Sequence, residues 1–167
     1  MTKASWLDAR QERAWRALQF MQMRLTAHLA RDLAAESGLA YQDYVVLVAL
    51  TDEPEGRLRL FELAEKIGWE RSRLSHHVSR MADRGLVTKE KCTSDGRGSF
   101  VAVTPLGKKE IEAAAPGHAE SVRRLFIDSL TPEQLDAMGD AAQIVLERLS
   151  QFDPLPPEQR DDKGSAN

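Results

Sequence analysis

The chain has 167 residues, a formal charge of −3, 42% apolar and 29% charged side chains. That composition is ordinary for a globular domain and excludes wholesale disorder, and no run approaches the ~20 apolar residues of a membrane-spanning helix. Cys92 is the single cysteine, which excludes an intrachain disulfide and a cysteine-based zinc cluster. With no secretory hydrophobic region in the first ten residues, a cytoplasmic protein is expected.

Taken in chain order, residues 5–35 read as one long amphipathic helix. Trp15, Leu18, Leu25, Leu29 and Leu33 fall near helical spacing, and Gly38 is its stop. Residues 41–50 form a short, strongly apolar helix closed by the turn cluster Asp52-Glu53-Pro54-Glu55-Gly56. Leu60, Leu63, Ala64 and Ile67 sit at i, i+3, i+4 and i+7, a third helix ending at Gly68; a fourth runs from about 70 to 84 and ends at Gly85. The period then switches to two, giving strands over 86–91 and 99–103 joined by a tight turn at Asp95-Gly96. Thr104 caps a long helix with Pro105 at its first position, reaching about Ser129 and bent near Pro116-Gly117. Thr131-Pro132-Glu133-Gln134 is a capping box opening a last helix to about Phe152, and the proline-rich 153–167 reads as a disordered tail. This order of elements is mostly α with a small β-hairpin wing: a winged helix-turn-helix between long terminal helices.

Charge is distributed unevenly. Residues 57–97 hold ten basic side chains against six acidic ones, a surplus of four, while the remainder carries a surplus of seven acids. A basic middle in an acidic frame fits a module that touches a polyanion; an ordinary solvated face is the other reading of the same charges.

On a helical wheel of the fourth helix, Leu74, Val78 and Met81 form the core stripe. Ser72, Ser75, His76, Ser79 and Asp83 point away from it, with Arg73 and Arg80 on the shoulder. His76 is thus a candidate DNA contact, while His77, near the apolar margin, reads as packed or cap-bonded. Arginine suits guanine edges and phosphate, serine is a small adaptable donor, and Arg71 and Arg73 stand where a helix N-terminus enters a major groove. At the hairpin tip, Arg97 between glycines is short enough to enter a minor groove. Asp95 either orients a basic neighbour or is simply the residue the turn wants.

These residues resemble the MarR family of transcription regulators. The carrying segments are Leu63-Ala64-Glu65-Lys66-Ile67-Gly68, the run from Arg71 to Met81, Asp83-Arg84-Gly85-Leu86-Val87, the wing Asp95-Gly96-Arg97 and the restart Val103-Thr104-Pro105-Leu106-Gly107. Helix order matches over about 5–152. The resemblance implies a homodimer that binds pseudo-palindromic double-stranded DNA near promoters, as a rule repressing. It further implies relief by a small lipophilic or phenolic effector bound between the dimer core and the winged lobe. The corresponding division is 1–40 as N-terminal dimerisation helix, 41–104 as DNA-binding lobe, 105–152 as C-terminal dimerisation helices and 153–167 as tail. Independently, the apolar stripes of the terminal helices (Trp15, Leu18, Leu25; Leu130, Leu135, Met138, Val145, Leu149) exceed what one small lobe can cover.

Trp15, Arg16, Met23, Tyr41 and Tyr44 are the effector-binding candidates, each with an ordinary packing role as its alternative. Cys92 beside Lys91 is either a redox switch or inert strand packing. Spacing such as His118/Glu120 makes a weak metal site, so neither metal nor cofactor is expected. A winged-helix module used only for protein contacts predicts an apolar recognition face, against what these residues offer. No glycine-rich phosphate loop, nucleophile elbow or zinc helix is present, so no enzyme is expected.

Overall fold

The computed structural model describes residues 6–91 and 99–152. Asp8 sets where the first helix starts. Its carboxylate accepts from the amides of Arg10 and Gln11 at 2.8 Å each, and the Gln11 side chain accepts from the Asp8 amide at 2.9 Å. This reciprocal cap places α1 at Ala9–Ser37, four residues later than expected, and Gly38 closes it at φ 72°. The second helix, α2 (Tyr41–Thr51), buries Val46, Leu47, Ala49 and Leu50 and lies at the centre of the core.

After a turn at Gly56 (φ 65°) the chain makes a short strand, β1 (Arg57–Arg59), that periodicity did not reveal. Three helices and two strands then follow in the expected order: α3 (Leu60–Ile67), α4 (Arg71–Asp83), β2 (Val87–Lys91), β3 (Ser99–Val103) and α5 (Pro105–Leu125). The expected two-stranded wing is a three-stranded antiparallel sheet in the order β1-β3-β2. Arg57 faces Ala102 on one side of β3, and Val87 faces Val103 on the other. The anticipated hairpin turn, with Cys92, Asp95 and Arg97, lies outside the described residues.

Thr104 caps α5 and does more. It accepts from the Gly107 amide at 3.0 Å and donates to the carbonyls of Gly85 at 2.6 Å and Leu86 at 3.1 Å. Gly107 sits against this joint: a Cβ there would collide with the Leu86 carbonyl and meet Val103 and Leu47 at 3.0 and 3.1 Å. The helix continues through Pro116 but ends at Leu125, earlier than Ser129, because Phe126 leaves helical backbone (φ −130°, ψ −61°); a 3-10 turn follows at Ile127–Ser129.

The chain divides into two compact units, one up to Ile127 and one from Asp128 onward. In the first, α1 packs along α5, and Asp32 accepts from Ser121 at 3.0 Å and from Arg124 at 2.8 Å. Its core gathers Leu33, Leu47, Leu50, Leu63, Leu74, Val78, Met81, Val87 and Val101, side chains whose burial is each worth about 1.5–3 kcal/mol. The second unit holds α6 (Pro132–Ser150), two residues shorter than expected. It is opened by the predicted box, Thr131 accepting from Gln134 and the Gln134 side chain from Thr131. Among the described residues no helix is long and apolar enough to cross a membrane.

Candidate nucleic-acid interface

The turn between α3 and α4 is built from three local devices. Gly68 takes the left-handed conformation at φ 67°, the Trp69 amide donates back to Ala64 at 2.9 Å, and Glu70 caps α4. The Glu70 carboxylate accepts from the amides of Ser72 (2.9 Å) and Arg73 (3.0 Å) and from the Ser72 hydroxyl. Those bonds, the Ser72 hydroxyl first, lower its pKa to about 2, since each favours the ionised form.

Leu74, Val78 and Met81 are fully buried, as the wheel requires, and this fixes which face α4 turns outward. Arg71, Ser72, Arg73, His76 and Arg80 are exposed; Ser75 and Ser79 are half-buried. The helix is ~20 Å long at 1.5 Å per residue, a length that lies within a major groove about 12 Å wide.

The outward side chains are tethered. Arg71 lies 3.8 Å from Glu65 with its guanidinium 5.6 Å from the Phe61 ring centre. Arg73 stacks 4.7 Å over Trp69. Arg80 lies 3.2 Å from Nδ1 of His77. Ser79 donates to the Ser75 carbonyl at 2.9 Å and accepts from Lys89 of β2 at 2.7 Å. Lys89 was not among the sequence candidates, although its place on the strand beside α4 adds a cation to the same face. Of the nominated serines, Ser72 and Ser79 therefore have their hydroxyls engaged within the protein.

Beneath α4 lies a polar cluster that sequence reasoning did not find. Asp43 of α2 is 1% exposed. It accepts two bonds of 2.7 Å from the fork of Arg84, the residue ending α4, whose Nε also donates to the Arg80 carbonyl at 3.2 Å. His77 brings Nε2 to 2.9 Å from Asp43 Oδ1, an ion-pair distance whose alignment falls short of a hydrogen bond. Trp69 meets the imidazole edge-on at 5.4 Å. Burial, opposed by the Asp43 charge, holds the His77 pKa below the usual 6.5. His77 is thus packed, as its wheel position suggests, and His76 is outside.

The effector candidates separate into two groups. Tyr41 and Tyr44 border a groove of about 350 Å³ between α2 and α3, with Val45, Val48 and Lys66. Tyr44 and Val48 also border a groove of about 470 Å³ toward α5, with Lys108, Ile111 and Glu112. His118 of α5 stands 4.5 Å from the Tyr44 ring and 6.3 Å from Tyr41. Its Nδ1 is buried with no partner among the described residues, and burial lowers its pKa. Trp15, Arg16 and Met23 line neither groove: Trp15 and Met23 stand exposed on α1, and Arg16 pairs with Glu12 at 2.7 Å. Among the described residues no group of three or more His, Cys, Asp or Glu could hold a metal.

A helix-turn-helix beside a three-stranded wing, presenting arginines on its second helix, defines a winged-helix DNA-binding protein of the transcription-regulator class. Residues 37–98 match the family model described as "MarR family". The chain is 32% identical over 123 residues to the transcriptional regulator HosA of Escherichia coli O127:H6, covering 72% of this chain and 89% of the relative. Among solved structures it resembles AbsC, a MarR family transcriptional regulator from Streptomyces coelicolor: 37% identity, TM-score 0.80, 89% of this chain and 99% of that one. It likewise resembles Sco3205, another from S. coelicolor solved in complex with DNA: 39% identity, TM-score 0.80, covering 92% and 96%. The chain belongs to the MarR family of transcriptional regulators, which are not enzymes.

Proposed function

We propose that this regulator acts as a homodimer on pseudo-palindromic double-stranded DNA, repressing nearby genes until a small lipophilic or phenolic effector releases it. The outward face of α4 carries the reading: Arg71, Arg73 and Arg80 are exposed around His76, Ser72 and Ser75, with Lys89 alongside. A protein-contact module needs an apolar face there, and this one is cationic. Arg97, the expected hairpin-tip residue, serves the minor groove in the same reading, and Asp95 is the candidate to orient it. Sco3205, the relative solved with DNA, favours the same use of the fold.

Exposed apolar side chains support the dimer. On α1 they are Trp15, Leu18, Phe20 and Met23; on α6 they are Ile144, Val145, Leu146 and Leu149. Apolar stripes of this extent on long helices are normally covered by a partner. This reading divides the chain into a lobe over 41–104 and dimerisation segments over 1–40 and 105–152. For the effector, the grooves flanking Tyr44 combine aromatic walls with Lys66 or Lys108, a lining suited to an aromatic acid.

The test is a salt titration on the DNA upstream of the protein's own gene and its neighbours. Log affinity should fall steeply with log salt, and Arg73→Ala or Arg80→Ala should make the slope shallower by about one. No retained fragment at low salt refutes the reading. Graded release by aromatic acids supports the effector, whereas release only by peroxide, reversed by reductant, moves the switch to Cys92.

A further inference from the structure

The outward arginines of α4 do not simply hang in solvent; two of them rest on groups reached through the protein. Arg73 lies on Trp69, and Trp69 meets the edge of His77. Arg80 lies 3.2 Å from His77 Nδ1. A guanidinium has only donors, so the nitrogen facing it must present a lone pair. Nδ1 is therefore unprotonated in this arrangement. The ring proton of the neutral imidazole is then on Nε2, the nitrogen that lies 2.9 Å from the buried Asp43 carboxylate. Asp43 is in turn fixed by the two-pronged contact from Arg84.

We infer that His77 is a positioning residue for DNA binding: held in the Nε2–H tautomer by Asp43 of α2, it uses Nδ1 to aim Arg80 from behind. This rests on the DNA-binding reading above and assigns a role to a buried residue that itself touches no DNA. The groups facing the ring are Asp43 from α2, Arg80 and Arg84 from α4, and Trp69 from the turn. Protonating Nδ1 places a hydrogen against the Arg80 guanidinium, removes its acceptor and sets two cations side by side.

Two substitutions separate the two nitrogens. Asparagine at 77 puts its amide oxygen where Nδ1 sits and keeps an acceptor for Arg80. Glutamine reaches to the Nε2 position and leaves Arg80 without one. The probe is a duplex selected from a randomised pool by the full-length wild-type chain. His77→Gln should weaken binding by about fivefold or more and flatten the salt slope by about one, as the loss of one charge-assisted phosphate contact does. His77→Asn should keep the wild-type slope. In an Arg80→Ala background, His77→Gln should have no further effect on affinity.

An undiminished loss in that background overturns the inference, because the effect then does not pass through Arg80. So does a silent Arg80→Ala, which leaves DNA binding standing but removes the arginine being aimed. If no duplex is selected, the DNA-binding reading itself fails. The tautomer is read without any variant, from nitrogen–proton correlation spectra of the wild-type imidazoles at neutral pH. A protonated Nδ1 on His77 overturns the inference whatever the binding data.

Discussion

The two partners of the buried pair, Asp43 and Arg84, should differ in what their removal does to stability. The Asp43 side chain is 1% exposed and that of Arg84 50%. Arg84→Ala leaves a carboxylate set into the core without its guanidinium, with only the poorly aligned His77 beside it. Stranding a charge in that way costs about 3–5 kcal/mol. Asp43→Ala leaves Arg84 half in solvent and still bonded to the Arg80 carbonyl. What it loses is the pair of charge-assisted bonds from Arg84, about 1–3 kcal/mol net once water solvates the freed guanidinium. The order is therefore Arg84→Ala worse than Asp43→Ala by about 2 kcal/mol, the difference between those two costs. The sign of the coupling is sharper still. Adding Asp43→Ala to Arg84→Ala removes the stranded charge, so the double variant should be more stable than Arg84→Ala alone. Urea unfolding at pH 7 and fixed protein concentration, followed by far-UV circular dichroism, measures all four species. A double variant less stable than Arg84→Ala would refute the reasoning, as would Asp43→Ala proving the more damaging single change.

Gly107→Ala gains helix propensity of about 1 kcal/mol but drives a Cβ into the Leu86 carbonyl, so a net loss of about 1–3 kcal/mol is expected in thermal unfolding. Glu70 titrates near 2 in the folded chain against an ordinary 4.5. Its contribution is present above 4.5 and fades as pH falls toward 2, and Glu70→Gln should flatten the acid limb of a stability–pH curve there. His118 has its pKa lowered by burial, so the fold favours its neutral form; stability is retained above the ordinary 6.5 and lost as pH drops below it. His118→Leu should reduce that loss in unfolding curves at pH 7.5 and 5.5, and a curve as steep as wild type would show that the ring does not contribute.

What could be read in the sequence was what is decided locally. Gly68, Glu70 and Gly85 bracket α4; Leu74, Val78 and Met81 name its buried face; Thr104-Pro105 and Thr131-Pro132 open two helices. Each signal lies within a turn or two of what it determines. The misses are of another kind. A three-residue strand such as β1 has too few residues to show a period, and it exists because β3 offers it an edge some 40 positions later. Asp43 lies in the first turn of α2, a position acids favour for local reasons, so nothing in the sequence marks it as a buried partner. Its partner Arg84 is 41 residues away, so no spacing rule links them. The α1 candidates Trp15 and Met23 lie outside both grooves of the single chain, on an exposed stripe with Leu18 that suits a pocket or a partner equally.

Asp43 and Tyr44 are consecutive, yet one reaches the recognition helix and the other walls the grooves. This ties the length of α2 to its meaning. Inserting or deleting one residue within Tyr41–Thr51 would turn the parts of the helix on either side of it by about 100° relative to each other, so that Asp43 could no longer meet Arg84 while Val46, Leu47 and Leu50 stay in the core. Among regulators sharing this architecture, α2 is therefore expected to keep its length.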